Sequence, residues 1–547
     1  MPLPVLIIGS GLSGLLLAQG LLLHRIPFQI YERDPHLSSR PQGYRIRLNL
    51  IGLHALRTTL SKEVNDEIWR TAVEFVPGLG RLDARTGKVM GVPVGMPSPK
   101  SPGTKTNVNG NGNGTASPTG LPPPPGIDPE DPLTRFAMTS RLPVDRTILR
   151  SVLLTGLDDY IDFNKSFTHY SITPSSVTAH FSDGTTAEGS LLVGADGYHS
   201  RVTRQLVGDT LEPIDMGPRM IYGKASLKEL EGVMNKELMY GVRVAVDTSP
   251  RPPPPPTAPQ TGQSDNIPSD TEDPSKSTGA ITQTATVPDP AKPTSPTIQP
   301  DTPPDSSPPA RPSPVSLFIE TCRFPNLPHT SDYVFYVLTS PTGFSTFVTC
   351  DASLLSSSCE TAASIAEKAV SHFHPSIRAV VERQDRGSCS VWAMTSAKPG
   401  GLGEWGTERR VTILGDAVHP MPPTGGLAGN AALRSAASLV RVLSRRHNGV
   451  HSTGAREKNK NGNGTGGEKN KEIQIESGSG EDGWTADEIN SYEVRMRSEA
   501  GRMVTLAHAA ATGKYPLGLW NPLFGDPSEC LSEEEARRFD RALNWDE

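Results

Sequence analysis

The chain has 547 residues, with 53 Lys+Arg against 59 Asp+Glu and a formal net charge of −6. That balance offers no basic face for a phosphate backbone and argues against a nucleic-acid partner. Gly and Pro number 52 each, above ordinary usage for both, and they crowd into a few stretches that cannot form core.

In chain order, Pro4-Val-Leu-Ile-Ile8 reads as a buried strand, followed by a glycine turn, a helix over Leu12 to His24 and a strand over Phe28 to Tyr31. This is a β-α-β unit. The apolar start lacks the basic leader of a signal peptide, and no stretch of about 18–20 uninterrupted apolar residues follows, so no membrane span is expected. Residues 91–132, 247–314 and 446–483 are rich in Pro, Gly, Ser, Thr, Asn and charge, with few large apolar side chains to offset the entropy of ordering them. They are expected to be disordered insertions; the run Arg251–Pro256 would adopt polyproline II and could serve as a ligand for an SH3-type domain. Further strands are expected at Ser190–Val193, Leu317–Glu320, Tyr333–Thr339 and Arg410–Leu414, and a helix after Gly429 with leucines at 433, 439 and 443. The fold class expected is α/β with an antiparallel, sheet-rich second lobe.

The five cysteines (Cys322, Cys350, Cys359, Cys389 and Cys530) are scattered and odd in number, which suggests reduced thiols and a cytoplasmic protein. No metal site is expected, since His372-Phe-His374 lacks an acidic or Cys partner nearby. Neither a G-x-S-x-G elbow nor an H-E-x-x-H helix is present.

Gly9-Ser-Gly11-Leu-Ser-Gly14 closes the first strand and opens the first helix, the context in which G-x-G-x-x-G binds a dinucleotide. Gly9 permits the tight turn, Gly11 lets a pyrophosphate approach the helix N-terminus, and Gly14 lets helix and strand pack closely. Glu32, 18 residues after Gly14, ends the second strand, where its carboxylate can accept both hydroxyls of an adenosine ribose. These residues do not distinguish NAD from FAD.

Gly415-Asp416-Ala-Val-His419-Pro-Met-Pro-Pro423-Thr-Gly425-Gly426-Leu-Ala428-Gly429-Asn430 resembles the GD motif of the class A FAD-dependent monooxygenases, the para-hydroxybenzoate hydroxylase-like family. Gly194-Ala-Asp196-Gly197 resembles that family's DG motif, and Val144-Asp-Arg146-Thr-Ile-Leu149 the segment supplying an arginine to the cofactor. The resemblance implies a Rossmann-like FAD-binding domain from residues 1–70, 133–210 and 395–445. It implies a substrate-binding lobe from 71–90, 211–246 and 315–394, and a helical C-terminal region at 484–547. Asp416 would accept a hydrogen bond from the ribityl chain, Asp196 would lie near the pyrophosphate, and Arg146 near the FAD phosphates. The turn at Gly426 and Gly429 would present a helix N-terminus to the isoalloxazine. Arg45 and Arg47, in Gly43-Tyr-Arg45-Ile-Arg47, would belong to the loop beside the isoalloxazine over which the substrate enters.

In that family NAD(P)H reduces the flavin, O₂ adds at C4a, and the hydroperoxyflavin transfers an oxygen to a substrate while the site excludes water. The resemblance points to the branch found in fungal secondary metabolism and to a hydrophobic, aromatic or polycyclic small molecule as substrate. Arg204 and Tyr222 are the candidates for orienting the flavin or substrate. The alternatives are a flavin-binding protein without turnover and an NAD(P)-dependent dehydrogenase. Three departures from the family pattern stand out. Ala428 replaces a glycine and would be strained if that position needed positive φ; Ser435 replaces a usual Asp; and Thr203 occupies an Arg position.

Overall fold

The computed structural model describes residues 2–36, 39, 45–74, 79–90, 140–234, 238, 242–247, 315–341, 344, 354–447 and 484–512. The three stretches expected to be disordered lie outside these, apart from residues 247, 446 and 447, as do Gly43, Tyr44, and residues 513–547. All described residues belong to one unit formed by Met1–Thr248 and Ser313–Glu547.

Its centre is a parallel sheet in the order Val411–Ile413, Leu191–Gly194, Val5–Ile8, Phe28–Tyr31, Ile161–Asp162. Val5–Ile8 and Leu191–Gly194 are buried along their whole length. That explains their unbroken apolar sequence: a strand covered on both faces has no polar side to alternate with. The helix Leu12–Leu23 is buried from Leu12 through Leu21. It packs beside the helices Leu50–Thr59, Arg146–Leu154 and Ala428–His447, and Leu433, Leu439 and Leu443 are all fully buried there.

A second, seven-stranded sheet runs Ser390–Ser396, Ile214–Ser226, Tyr333–Ser340, Ser316–Cys322, Val242–Val246, Leu79–Asp83, Val89–Met90. Its pairings are antiparallel except for Leu79–Asp83 beside Val242–Val246. Alternation gives it two different faces. Ile221, Leu317, Ile319, Tyr336 and Leu338 form a core with the helices Cys359–Ala369 and Pro375–Glu382. The opposite face carries Tyr222, Phe318, Cys322, Tyr333 and Phe335 and meets Ile148 of the helix Arg146–Leu154. The antiparallel ribbon Arg45–Asn49 and Ser140–Asp145 also reaches this face.

The helix Ala486–Ala511 opens with a capping box between Thr485 and Glu488. Such a box satisfies two helix-end amides reciprocally. This helix packs on Ala428–His447 through a bidentate pair in which the Arg434 Nε and Nη2 donate to Glu499, both at 2.8 Å. The Tyr492 hydroxyl donates to the Ile413 carbonyl at 3.0 Å and Thr412 donates to Glu493 at 2.9 Å, fastening the helix to the edge of the parallel sheet. No helix among the described residues is long and apolar enough to cross a membrane.

Candidate active site

Four adjacent parallel strands end in Gly9, Glu32, Ala195 and Gly415, so the motifs converge on the carboxyl edge of the sheet, where open α/β sheets bind ligands. They interlock through missing side chains. Gly9 has φ +105°, and a Cβ there would stand 2.5 Å from the Ala195 carbonyl oxygen. Gly415 has φ +64°, and its Cβ would stand 2.6 Å from the Ser13 hydroxyl. No L side chain fits either position without moving the neighbouring turn. The first helix has Gly11 as its N-cap with no side-chain capping bond, which leaves its end suited to an anion.

Beside these turns lies a cleft of about 450 Å³ lined by Gly9, Gly11, Glu32, Arg33, Arg150, Asp196 and Arg204, among others. Glu32 is buried and accepts from the Ser10 amide at 2.8 Å, the Ser10 hydroxyl at 2.7 Å and the Asp34 amide at 3.0 Å. Desolvation pushes its carboxyl up, but the Asp34 amide, Ser10 and the Arg150 charge outweigh that and hold its pKa below the ordinary value. Arg150, also buried, donates from one nitrogen to the Ser10 carbonyl at 3.0 Å and lies 3.3 Å from its hydroxyl. Asp196 accepts from the Ser200 hydroxyl at 2.6 Å and the Arg201 amide at 2.9 Å, yet desolvation still raises its pKa. His199 is held below its usual pKa by desolvation and then by the charges of Arg33 and Arg204.

Asp416 lies outside the lining of this cleft, on the next turn along the edge. Its side chain is exposed, but protein atoms ring it closely enough that desolvation raises its pKa, against the opposing charge of Arg146. Thr203 donates from its hydroxyl to the Ala417 carbonyl at 2.7 Å, tying the helix after Asp196 to the turn of Asp416. Gly425 and Gly426 have φ +86° and +66°. Ala428 has no positive φ and begins the helix Ala428–His447, which corrects the expectation of strain there: two glycines upstream make the turn instead. Gly429 has room for a Cβ, with Ile46 at 3.6 Å and Leu12 at 3.9 Å.

Ser435 has a defined use. It donates to the Ala431 carbonyl at 3.0 Å and sits 2.8 Å from Nε2 of His419. With its one proton committed to Ala431, the hydroxyl accepts from the imidazole. Desolvation lowers the His419 pKa to about 4, so the ring is neutral at physiological pH.

Arg45 and Arg47 turn onto Glu320 of the seven-stranded sheet: Arg45 pairs with one carboxylate oxygen, and Arg47 donates to the other at 2.8 Å. Tyr222 lies on the same sheet face, edge-on to Trp392 with ring centroids 6.3 Å apart. Desolvation alone raises its hydroxyl well above the ordinary value. The structure therefore separates the two candidate orienting residues, Arg204 in the cleft and Tyr222 on the sheet face. His372 is 3.2 Å from Asp247, and His374 caps a helix by accepting from Ser376; no group of three or more metal-type ligands occurs among the described residues.

Sequence reasoning missed Arg150, Arg33 and Glu320. Arg150 had a signal, since it follows Arg146 by four positions on one helix and so shares its face. Arg33 adjoins Glu32. Glu320 had none, because its role depends on sheet register.

An FAD binding domain family model matches residues 388–455. The chain is 31% identical over 463 residues to a dual O-methyltransferase/FAD-dependent monooxygenase of Phaeosphaeria nodorum, covering 81% of this chain and 40% of that protein. It is 29% identical over 461 residues to a protein of the same description from Cercospora beticola, covering 80% and 42%. The chain thus spans about 40% of the length of these curated relatives. Among solved structures it resembles 2,6-dihydroxypyridine-3-hydroxylase of Arthrobacter nicotinovorans, with a TM-score of 0.55 at 14% identity over 96% of this chain and 95% of that one. It also resembles HpxO of Klebsiella pneumoniae complexed with FAD and uric acid, with a TM-score of 0.54 at 14% identity over 99% and 97%. Motifs, relatives and fold agree: the chain carries an FAD binding domain match and is similar over most of its length to FAD-dependent monooxygenases.

Proposed function

We propose that this protein uses FAD, NAD(P)H and O₂ to oxygenate a hydrophobic, aromatic or polycyclic small molecule. The observation that carries the reading is the interlock of the Gly9, Ala195–Asp196 and Gly415–Asp416 turns at one sheet edge. It gives backbone contacts from three distant segments to one elongated dinucleotide. The residues present fit FAD: Glu32 and Arg150 line the cleft for the adenosine diphosphate arm, and the first helix lacks a side-chain cap where a pyrophosphate would sit. Asp416 would hold the polyol, and the start of Ala428–His447 would favour negative charge on the flavin's pyrimidine edge. Bound flavin supplies the electron transfer and oxygen activation. The chain's own residues position it and exclude water.

The two hydrophobic cores favour residues 1–70, 133–210 and 395–445 as the cofactor part and 71–90, 211–246 and 315–394 as the substrate lobe. Asp416→Ala is expected to lower the flavin-to-protein ratio of the purified protein severalfold; an unchanged ratio would remove Asp416 from the cofactor site. A colourless wild-type protein would favour the dehydrogenase alternative. A yellow protein that NADPH does not bleach in the presence of any aromatic compound tested would favour binding without turnover.

A further inference from the structure

The turn that carries Asp416 lies against the helix Ala428–His447: a Cβ on Gly415 would stand 3.5 Å from that of Ala432, and Ala417, Val418, Ala431 and Ala432 are all buried. Two polar side chains meet in this apolar packing. His419 is fully buried, and its Nε2 lies 2.8 Å from the hydroxyl of Ser435, which is also buried. Burying such a pair is costly unless its hydrogen bonds are made. Ser435 gives its one proton to the Ala431 carbonyl at 3.0 Å, so it accepts the imidazole proton at Nε2. Nδ1 is then a bare acceptor, and no donor reaches it among the described residues.

This contact sets a spacing that the intervening chain does not. Residues 420–427 form neither helix nor strand, and Gly425 and Gly426 sit at φ +86° and +66°. A connection with two such glycines does not dictate how far apart its ends lie. On the turn side, the His419 amide donates to the Gly415 carbonyl at 3.0 Å, closing the turn around Asp416. On the helix side, Ser435 lies about two turns inside the end that begins at Ala428. The imidazole therefore joins the two proposed flavin grips, the carboxylate for the polyol and the helix end for the pyrimidine edge.

The surroundings keep the ring uncharged. On its own turn the ionisable group is Asp416, which answers to Arg146. On the helix its partner Ser435 is neutral, and the adjacent Arg434 is paired with Glu499. The helices Leu12–Leu23 and Arg201–Val207 meet the turn through the neutral Ser13 and Thr203. No charge governs the His419 ionisation, which desolvation dominates against its own backbone. A hydroxyl accepts from the imidazole without stabilising a cation as a carboxylate would. An imidazolium here would add a full positive charge close to the half-positive helix end.

Resting on the reading of this region as a flavin site, we propose that His419 is a positioning residue for the flavin. Its neutral imidazole, held in one tautomer by Ser435, fixes the spacing between the Asp416 turn and the first turns of Ala428–His447.

The test uses the full-length protein, stripped of flavin and titrated with FAD, beside long-range proton–nitrogen NMR spectra in which His419 is identified by its loss in His419→Gln. The wild-type ring is expected to carry its proton on Nε2 and to stay neutral down to about pH 5. Ser435→Ala should weaken FAD about fivefold, the scale of one neutral hydrogen bond, and Ser435→Thr, which restores the hydroxyl, should recover most of that. Ser435→Asp supplies a carboxylate, so the ratio of its FAD dissociation constant to the wild-type value should change about threefold or more between pH 5 and 8, while the Ser435→Ala ratio stays flat. A merely structural contact would leave both ratios flat, which would overturn the proposal. So would wild-type affinity in Ser435→Ala, no recovery in Ser435→Thr, or a wild-type proton on Nδ1. Should Ser435→Asp fail to fold, the wild-type spectra and the Ala and Thr variants still decide. A colourless wild-type protein that takes up no added FAD would sink the flavin reading, whereas a yellow one with Ser435→Ala indistinguishable from wild type would sink this proposal alone.

Discussion

Two buried carboxylates, one in the cleft (Glu32) and one on the face of the seven-stranded sheet away from its helices (Glu320), are held in opposite ways. Glu32 is satisfied mainly by neutral donors, two backbone amides and a serine hydroxyl, all within 22 residues of it in sequence. Glu320 is held by two guanidiniums more than 270 residues away. The first site is made largely of backbone, so glycine spacing reveals it. The second is made of side chains whose meeting depends on how strands of two sheets register, and no local pattern reports that.

The difference should be largest in stability. Glu320→Ala leaves Arg45 buried beside Arg47 without its counter-charge, and removing one partner of a buried pair typically costs about 3–5 kcal/mol. Denaturant unfolding of the variant is expected to show a loss of that size. A loss under about 1 kcal/mol would mean that water reaches the guanidiniums and that the pair is effectively exposed.

His419 provides a pH signature on the motif side. Its folded pKa near 4 against an ordinary 6.5 means that the unfolded chain binds the extra proton first as pH falls. Stability should therefore be full above about pH 6.5 and decline toward pH 4, by roughly 3 kcal/mol across the window. Unfolding curves of His419→Gln should be flatter over the same range, and an equally steep decline would assign the effect to other groups.

Glu32 is shifted in the same direction for the opposite reason: hydrogen bonds and the Arg150 charge favour its charged form. Its depressed carboxyl contributes stability present above the ordinary carboxylate pKa and lost as pH falls below it. Glu32→Gln keeps the shape but loses the charge, and a hydrogen bond to a charged group is worth about 1.5–3 kcal/mol. The expected cost is about 1–2 kcal/mol of stability with a larger loss of flavin retention. Equal loss of both would make Glu32 a structural residue alone.

Legibility followed the same division. The β-α-β start, the strands ending in Gly194 and Gly415 and the leucine face of Ala428–His447 all follow from apolar runs or helical spacing. Gly9, Glu32 and Asp196 come together in one cleft because each ends or follows a parallel strand, and such ends are adjacent by construction. Arg45 and Arg47 were legible only as part of a loop expected beside the isoalloxazine, whereas they lie on the strand Arg45–Asn49. Their engagement with Glu320 needed the pairing of Ser316–Cys322 with Tyr333–Ser340 and the placement of a ribbon over it. Ala428 misled because a family spacing was read as a φ requirement, when the turn had been made at Gly425 and Gly426.

Thr203 is the sharpest small test, because the sequence casts it as a loss and the structure gives it a bond. It is buried, its amide donates to the Ser200 cap, and its hydroxyl donates to the Ala417 carbonyl. An arginine has no space at a site 6% exposed between two motif turns; the threonine is a cross-brace that joins the Asp196 turn to the Asp416 turn. Thr203→Val keeps the volume and deletes one neutral hydrogen bond, worth about 1 kcal/mol. Because the carbonyl it frees belongs to the residue after Asp416, the change should appear more strongly in flavin affinity than in unfolding. A flavin dissociation constant unchanged beside a 1 kcal/mol stability loss would show that the two turns hold their spacing without the brace, and that interlocking glycines alone set the site.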